Sequence, residues 1–237
     1  MSDDTVQISV CELLRFFDER PTDSKGHATA IVSVCGEDLG CGLLKHYFEA
    51  RDASVKVDVR PEPCTTGKQK GPRLDRWVRV TGASELGAPD VLFQVEVKNW
   101  SAHAIGGREL RRDPTAEEIA DYKKERWTRE WGDKEWGDAE GIKTPSLMKV
   151  VERMAPPPGL AHLHVETMAC MWTALHPTGA AECLFSVPLP EMQRRDFARV
   201  WFFSMSSYLR SLTDERIRIY MPDATKRMGW LDQLFRS

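Results

Sequence analysis

Strict alternation of apolar and polar residues in Val55-Lys56-Val57-Asp58-Val59 marks a half-buried strand that closes at Pro61. Residues 75–83 and 91–98 read as two further strands, and the turn-rich Ser84-Glu85-Leu86-Gly87-Ala88-Pro89 between them reads as a hairpin loop. The central sheet thus begins with three consecutive strands. Ahead of them, Leu43, Leu44, Tyr47 and Phe48 have amphipathic spacing, so residues 28–50 form one helix or a broken pair. Gly36, Gly40 and Gly42 each cost roughly 1 kcal/mol against Ala in a helix interior. Close packing of this backbone against the sheet is the alternative reason for them. A short helix around Val10–Phe17 and a polar link through Pro21 and Gly26 precede it.

Beyond residue 98 the pattern is less regular. Residues 115–130 have helix character, with Thr115, Glu117 and Glu118 suiting the N-terminal end. A short helix over 145–154 is ended by Pro156-Pro157-Pro158-Gly159. A strand then runs from His162 to Leu175, with Glu182–Val187 as its partner. An amphipathic helix over 190–212 carries Phe197, Val200, Trp201, Phe203 and Met205, and the strand Ile217–Tyr220 and the helix Ala224–Phe235 complete the chain. The fold class expected is α/β, a mixed central sheet flanked by helices. Residues 1–27 form an N-terminal helical extension, and residues 28–237 form one domain with an insertion at about 123–144.

The chemistry is concentrated where the hairpin ends. In Val91-Leu92-Phe93-Gln94-Val95-Glu96-Val97-Lys98, side chains alternate, so Glu96 and Lys98 share one face of a strand whose apolar run suggests a central, buried position. A hairpin centred near Glu85 and Leu86 places Asp75 opposite Glu96, with Cβ atoms about 5 Å apart. Two carboxylates so placed can share one divalent cation, with oxygen ligands at roughly 2.1 Å for magnesium. The Pro89-Asp90 dipeptide offers a rival acid, but Asp90 lies six residues before Glu96 on the same strand, about 20 Å away, too far to share an ion.

An acid on a preceding helix, an acid opening one strand and Glu-x-Lys on the next resemble the PD-(D/E)XK nuclease superfamily, the restriction-endonuclease-like phosphodiesterases. The likeness covers about residues 28–105, with Leu74 standing where the family name has Pro. It implies a restriction-endonuclease-like sheet and metal-dependent hydrolysis of phosphodiester bonds. Asp75 and Glu96, with the backbone carbonyl of Val97, would hold Mg²⁺ or Mn²⁺. Lys98 would orient the attacking water or neutralise charge on phosphorus, and Glu37 in Gly36-Glu37-Asp38-Leu39 would be the helix acid that supports the metal through water. The expected enzyme cuts DNA in preference to RNA and internally in preference to from an end, in defence against foreign nucleic acid or in repair. The alternative is a catalytically inactive relative that binds nucleic acid or a protein partner.

A formal net charge of −3 removes any case from global basicity, so nucleic-acid binding has to rest on a local patch. Lys68, Lys70, Arg73, Arg76 and Arg79 lead into the hairpin, and Arg108, Arg111 and Arg112 follow it. His103 in the following loop and Tyr122 and Lys123 on the next helix are weaker candidates to meet substrate. Trp127, Trp131 and Trp136 sit among dense charges in the insertion, where packing is favoured over base stacking because the local acids repel phosphate. His162, His164 and Glu166 alternate onto one strand face and could ligate a transition metal, though a polar outward face is favoured. Six cysteines without a Cys-x-x-Cys pair argue against a thiolate zinc site and for free thiols in a reducing cytoplasm. No signal-peptide pattern or apolar run of ~18 residues points to a membrane. With no recognisable base-reading module, target choice is expected to fall to a protein partner, and a symmetric dimer is the ordinary way to cut both strands of a duplex.

Overall fold

A 27-residue helix lies across a six-stranded mixed sheet, and the contact between the two sets the geometry of everything else. The computed structural model describes residues 4–19, 25–67, 73–98, 148–174, 182–188 and 196–235. In chain order the elements are β1 (Thr5–Ser9), α1 (Val10–Glu19), α2 (Lys25–Arg51), β2 (Lys56–Val59), β3 (Cys64–Thr65), β4 (Arg73–Leu74), β5 (Arg76–Thr81), β6 (Asp90–Lys98), β7 (His164–Met171), β8 (Leu184–Pro188), β9 (Arg199–Ser204), α3 (Met205–Ser211), β10 (Arg216–Tyr220) and α4 (Pro222–Phe235). Short 3-10 turns occupy Ser84–Leu86 and Met148–Val151.

The sheet runs β2-β5-β6-β7-β9-β8. β6, β7 and β9 are parallel, while β2, β5 and β8 join antiparallel. The β5–β6 hairpin pairs Thr81 with Asp90 and Arg76 with Val95, the register that a loop centred on Glu85 and Leu86 requires. Seven consecutive residues of β6, Val91 to Val97, are buried, as expected of a strand covered on both faces.

Side-chain alternation sorts the core into two layers. Val91, Phe93, Val95 and Val97 face α2, packing with Leu39, Leu43, Leu44 and Phe48. Leu92 faces the other way, with Trp77, Val150, Val151 and Met154. Gln94 shares that second face and ties the 150–154 segment to the sheet. Its amide donates to the carbonyls of Val150 and Glu152 at 2.9 and 2.8 Å, and its Oε1 accepts the Met154 N–H at 2.9 Å.

The glycines of α2 have a packing reason. A Cβ on Gly40 would lie 2.5 Å from Cγ1 of Val97, and one on Gly42 would overlap the carbonyl oxygen of Tyr220 on β10. The helix is thus held between β6 on one side and the β1–β10 pair on the other, and it is continuous rather than broken. At the sheet edge, Lys45 donates to the Val57 carbonyl at 2.6 Å and Glu49 accepts the Val57 N–H at 3.1 Å, so side chains of α2 satisfy the open backbone of β2.

Several expectations are corrected. Residues 5–9 are a strand, pairing with β10, and Ser9 then caps α1 by accepting the Glu12 N–H at 3.4 Å. The helix expected over 190–212 is, in its described part, the strand β9 followed by the seven-residue α3. Val200, Trp201, Phe202 and Phe203 are all buried, two on each face of the sheet, and an unbroken apolar run of that kind fits a two-sided strand better than a helix with one wet face. β8 therefore pairs with β9 and not with β7. The helix expected over 145–154 is, in its described part, a 3-10 turn at Met148–Val151. Phe17 of α1 stacks on Trp172 with ring centroids 4.1 Å apart, which joins the N-terminal elements to the main core. Among the described residues no helix is long and apolar enough to cross a membrane.

Candidate functional site

The carboxyl end of β6 carries the charged pair. Glu96 is 1% exposed, and its Oε1 accepts a hydrogen bond from Nζ of Lys98 at 2.5 Å. The two side chains meet because they are two residues apart on a strand and leave it on the same face, the one opposite α2. Lys98 keeps 26% of its side chain exposed, so the pair opens toward solvent at the ammonium end. Burying a carboxylate is costly, and a site that retains one beside a partly wet ammonium is a candidate for chemistry.

Asp75 arrives from the neighbouring strand. It occupies a bend between β4 and β5, just outside the strand in which it was expected. Its backbone N–H donates to the Val95 carbonyl at 3.0 Å, and its Oδ2 accepts the Val97 N–H at 2.6 Å. Asp75 therefore brackets Glu96, the residue between those two partners, and stands level with it as the register predicts. The carboxylate takes the place of a backbone carbonyl in the ladder, which fixes its orientation. Both carboxylates are close enough to the Cys64 thiol to act on it: burial pushes that thiol well above its ordinary pKa, and the negative charges of Asp75 and Glu96 push it further.

Oxygen atoms of two carboxylates and a backbone carbonyl form the hard donor set that Mg²⁺ and Mn²⁺ prefer. One hydrogen bond occupies one of about four lone-pair positions on the Asp75 carboxylate, so the Val97 contact is compatible with a ligand role. Among the described residues no three His, Cys, Asp or Glu side chains gather into a metal-binding group. Magnesium commonly takes only one or two protein carboxylates and completes its shell with water and substrate phosphate, so two acids are a sufficient protein contribution.

Glu37 is not brought to this pair. It sits on α2, on the opposite face of the sheet from Glu96, and its carboxylate is 3.3 Å from Nη2 of Arg76. Arg76 pairs with Val95, so it shares the α2 face, and its Nη2 also donates to Asp223 on α4 at 2.5 Å. The buried acid of this stretch is the next residue, Asp38, which accepts the Ala224 N–H at 2.7 Å at the start of α4. Burial raises the Asp38 pKa above the usual carboxylate value, against the lowering effect of the hydrogen bond from Ala224. The helical spacing of Asp38 from Cys41 and Gly42 placed it on the buried stripe, a clue that the family pattern overrode.

The basic patch is only partly assembled. Arg73 is exposed. Arg76 has the acidic partners just described. Arg79 is held by Asp90 through a fork, with Nε at 2.9 Å from Oδ1 and Nη2 at 2.5 Å from Oδ2, near the far end of β6. Those bonds from Arg79 also hold the Asp90 carboxyl below its usual pKa and account for the Pro-Asp dipeptide as a structural pair. Arg76 and Arg79 thus both take part in ion pairs within the protein. Lys68, Lys70, Arg108, Arg111 and Arg112 lie outside the described residues, as do His103, Tyr122, Lys123 and the three tryptophans of the insertion.

His164 and Glu166 meet as alternation requires, Nε2 to Oε1 at 3.0 Å. The same Oε1 accepts Nη2 of Arg199 at 2.8 Å, and that guanidinium lies over the Trp201 ring at 4.8 Å. A fixed cation on the only carboxylate of the set disfavours a metal there. Comparison of the chain with protein-family models, with curated proteins and with solved structures gave no match.

Proposed function

We propose that this protein is a divalent-metal-dependent nuclease of restriction-endonuclease-like fold, hydrolysing phosphodiester bonds with Asp75, Glu96 and Lys98. The reading is carried by one observation: Asp75, in the bend that leads into β5, brackets Glu96 through Val95 and Val97, while Lys98 closes on Glu96 from the same strand. Two acids and an ammonium from adjacent strands are what phosphoryl transfer needs when the protein contributes positioning and charge. Asp75, Glu96 and the Val97 carbonyl would hold Mg²⁺ or Mn²⁺. When bound, such an ion supplies Lewis acidity toward the scissile phosphate and lowers the pKa of a coordinated water. The bond from the Val97 N–H keeps the Asp75 carboxylate in one orientation, so it loses little entropy on binding a cation. The Lys98 ammonium, anchored by Glu96, stabilises negative charge as it grows on phosphorus and orients the attacking water. DNA is the favoured substrate, and a protein partner or a second copy would direct the cut.

The test is degradation of a panel of single- and double-stranded DNA and RNA in Mg²⁺ or Mn²⁺ and in EDTA, with wild type, Lys98→Ala and His164→Ala, each checked for folding by circular dichroism. Metal-dependent cutting lost in Lys98→Ala and kept in His164→Ala is the expected result. Cutting that survives Lys98→Ala refutes the assignment, and tight binding without cutting by the wild type supports the inactive alternative.

A further inference from the structure

The carboxyl ends of the parallel strands form one continuous edge, and on it hydroxyl groups gather beside the charged pair. Lys98 pairs with Met171, and Met171 pairs with Ser204, so the three stand in one row across β6, β7 and β9. Residues in register across a parallel sheet project to the same face, which puts Ser204 on the Lys98 side, about 10 Å away at two strand spacings. Thr173 follows Met171 by two residues, and the chain there is still in register with β6, since the Trp172 N–H donates to the Lys98 carbonyl at 3.2 Å. Ser206 is drawn in by its own N–H, which donates to the Trp172 carbonyl at 2.7 Å.

The resulting cluster has an inner and an outer layer. Ser204 and Ser206 are fully buried, while Thr173 and Ser207 are half-buried. Each inner hydroxyl is paired with an outer one: Thr173 Oγ1 lies 2.8 Å from Ser206 Oγ, and Ser204 Oγ lies 2.8 Å from Ser207 Oγ. The Ala174 N–H donates to Ser204 Oγ at 3.0 Å, adding a donor to the group rather than an acceptor. Every hydroxyl carries one proton to donate and two lone pairs. Four hydroxyls share two hydrogen bonds with one another, which leaves two O–H donors, one per pair, with no acceptor among the described residues. The layout places the surplus at the rim, because Thr173 and Ser207 are the members of the cluster that are not fully buried. In open α/β sheets this edge, beyond the carboxyl ends of parallel strands, is where ligands bind.

We infer that Thr173 and Ser207, backed by Ser206 and Ser204, form a docking ledge for a non-bridging oxygen of a backbone phosphate on the polynucleotide substrate. The inference rests on the proposed nuclease reading and adds to it the residues that hold the strand away from the cut. The ledge is two strands removed from Lys98, so it takes a neighbouring phosphate and leaves the scissile one to the charged pair. Hydroxyl contacts of this kind fix register on the backbone and carry no base sequence.

The experiment compares wild type, Thr173→Val, Thr173→Ser and Ser207→Ala. Binding of a fluorescein-labelled single-stranded oligonucleotide is followed by anisotropy in Ca²⁺, and kcat and KM are measured in Mg²⁺. Thr173→Val is expected to weaken binding about tenfold, the loss of one hydrogen bond to a charged group, and to raise KM with kcat unchanged. Thr173→Ser restores both. In a series of oligonucleotides with one phosphate at a time replaced by neutral methylphosphonate, wild type loses affinity at one position away from the cut, and Thr173→Val is indifferent there. Should Thr173→Val fail to fold, Ser207→Ala carries the same expectation. Wild type that cuts while Thr173→Val and Ser207→Ala match it in affinity, KM and methylphosphonate profile overturns the ledge alone. Wild type that neither binds nor cuts overturns the ledge and the nuclease reading together.

Discussion

Adding a single methyl group at Gly40 should disturb the candidate site without touching any charged residue. A Cβ there falls 2.5 Å from Val97 Cγ1 and 3.0 Å from Cγ2, against an optimal carbon–carbon separation of about 3.5–4.0 Å. α2 has nowhere to retreat, because Gly42, on the other side of the helix, already lies against the Tyr220 carbonyl. The strain passes to Val97, which sits between Glu96 and Lys98. Overpacking costs about 1–3 kcal/mol, and replacing Gly by Ala inside a helix returns about 1 kcal/mol, so Gly40→Ala should destabilise by up to about 2 kcal/mol. Val97→Ala alone should cost about 1.5 kcal/mol or more for the two methyls it removes from the core. Together the two substitutions relieve the clash, and the double variant should be more stable than the sum of the singles by at least about 1 kcal/mol. Urea unfolding followed by tryptophan fluorescence measures all four proteins. A Gly40→Ala protein more stable than wild type, or strict additivity in the double variant, would refute the close approach of α2 to β6 and with it the positioning of the Glu96–Lys98 strand.

Gln94→Leu should lose about 1–3 kcal/mol, since it leaves the buried Met154 N–H without its acceptor and takes one donor each from the carbonyls of Val150 and Glu152. Hydrogen exchange at Met154 should accelerate selectively, and unchanged protection there would contradict the tether. Asp38 has a folded pKa raised chiefly by burial, so the folded state binds its proton more readily than the unfolded chain. Its contribution to stability is complete below the unfolded carboxylate value, near pH 3.9, and is lost as pH rises through the folded value. Asp38→Asn keeps an acceptor for the Ala224 N–H and removes the buried charge. Its stability relative to wild type should therefore improve from acid to neutral pH in denaturant titrations, and a difference that is flat or reversed would argue against a charge desolvated by burial.

Much of the geometry of the candidate site was legible in the sequence. Alternation put Glu96 and Lys98 together, and the hairpin arithmetic put Asp75 level with Glu96, because turn position and a two-residue period fix an antiparallel register completely. The same local logic named α2, β2, β10 and α4. It failed where the answer depended on partners distant in sequence. Glu37 and Asp38 are adjacent on one helix, and only the docking of α4 and the orientation of Arg76 decided which is buried and which is ion-paired. The pairing of Arg79 with Asp90 across the hairpin was not read from the sequence either. The run Val200–Phe203 reads as part of a longer amphipathic helix, and its place between β7 and β8, buried on both faces, makes it a strand.

The sequence by itself determined the β5–β6 hairpin, its register and the shared face of Glu96 and Lys98, since these follow from spacing along one short stretch of chain. Only the tertiary structure decided that β7 and β9 run parallel to β6 and bring Thr173 and Ser204 to the same edge as Lys98. Parallel pairing joins β6 to β7 and β7 to β9, segments some 70 and some 30 residues apart, and no local period encodes which strands will meet across such a distance.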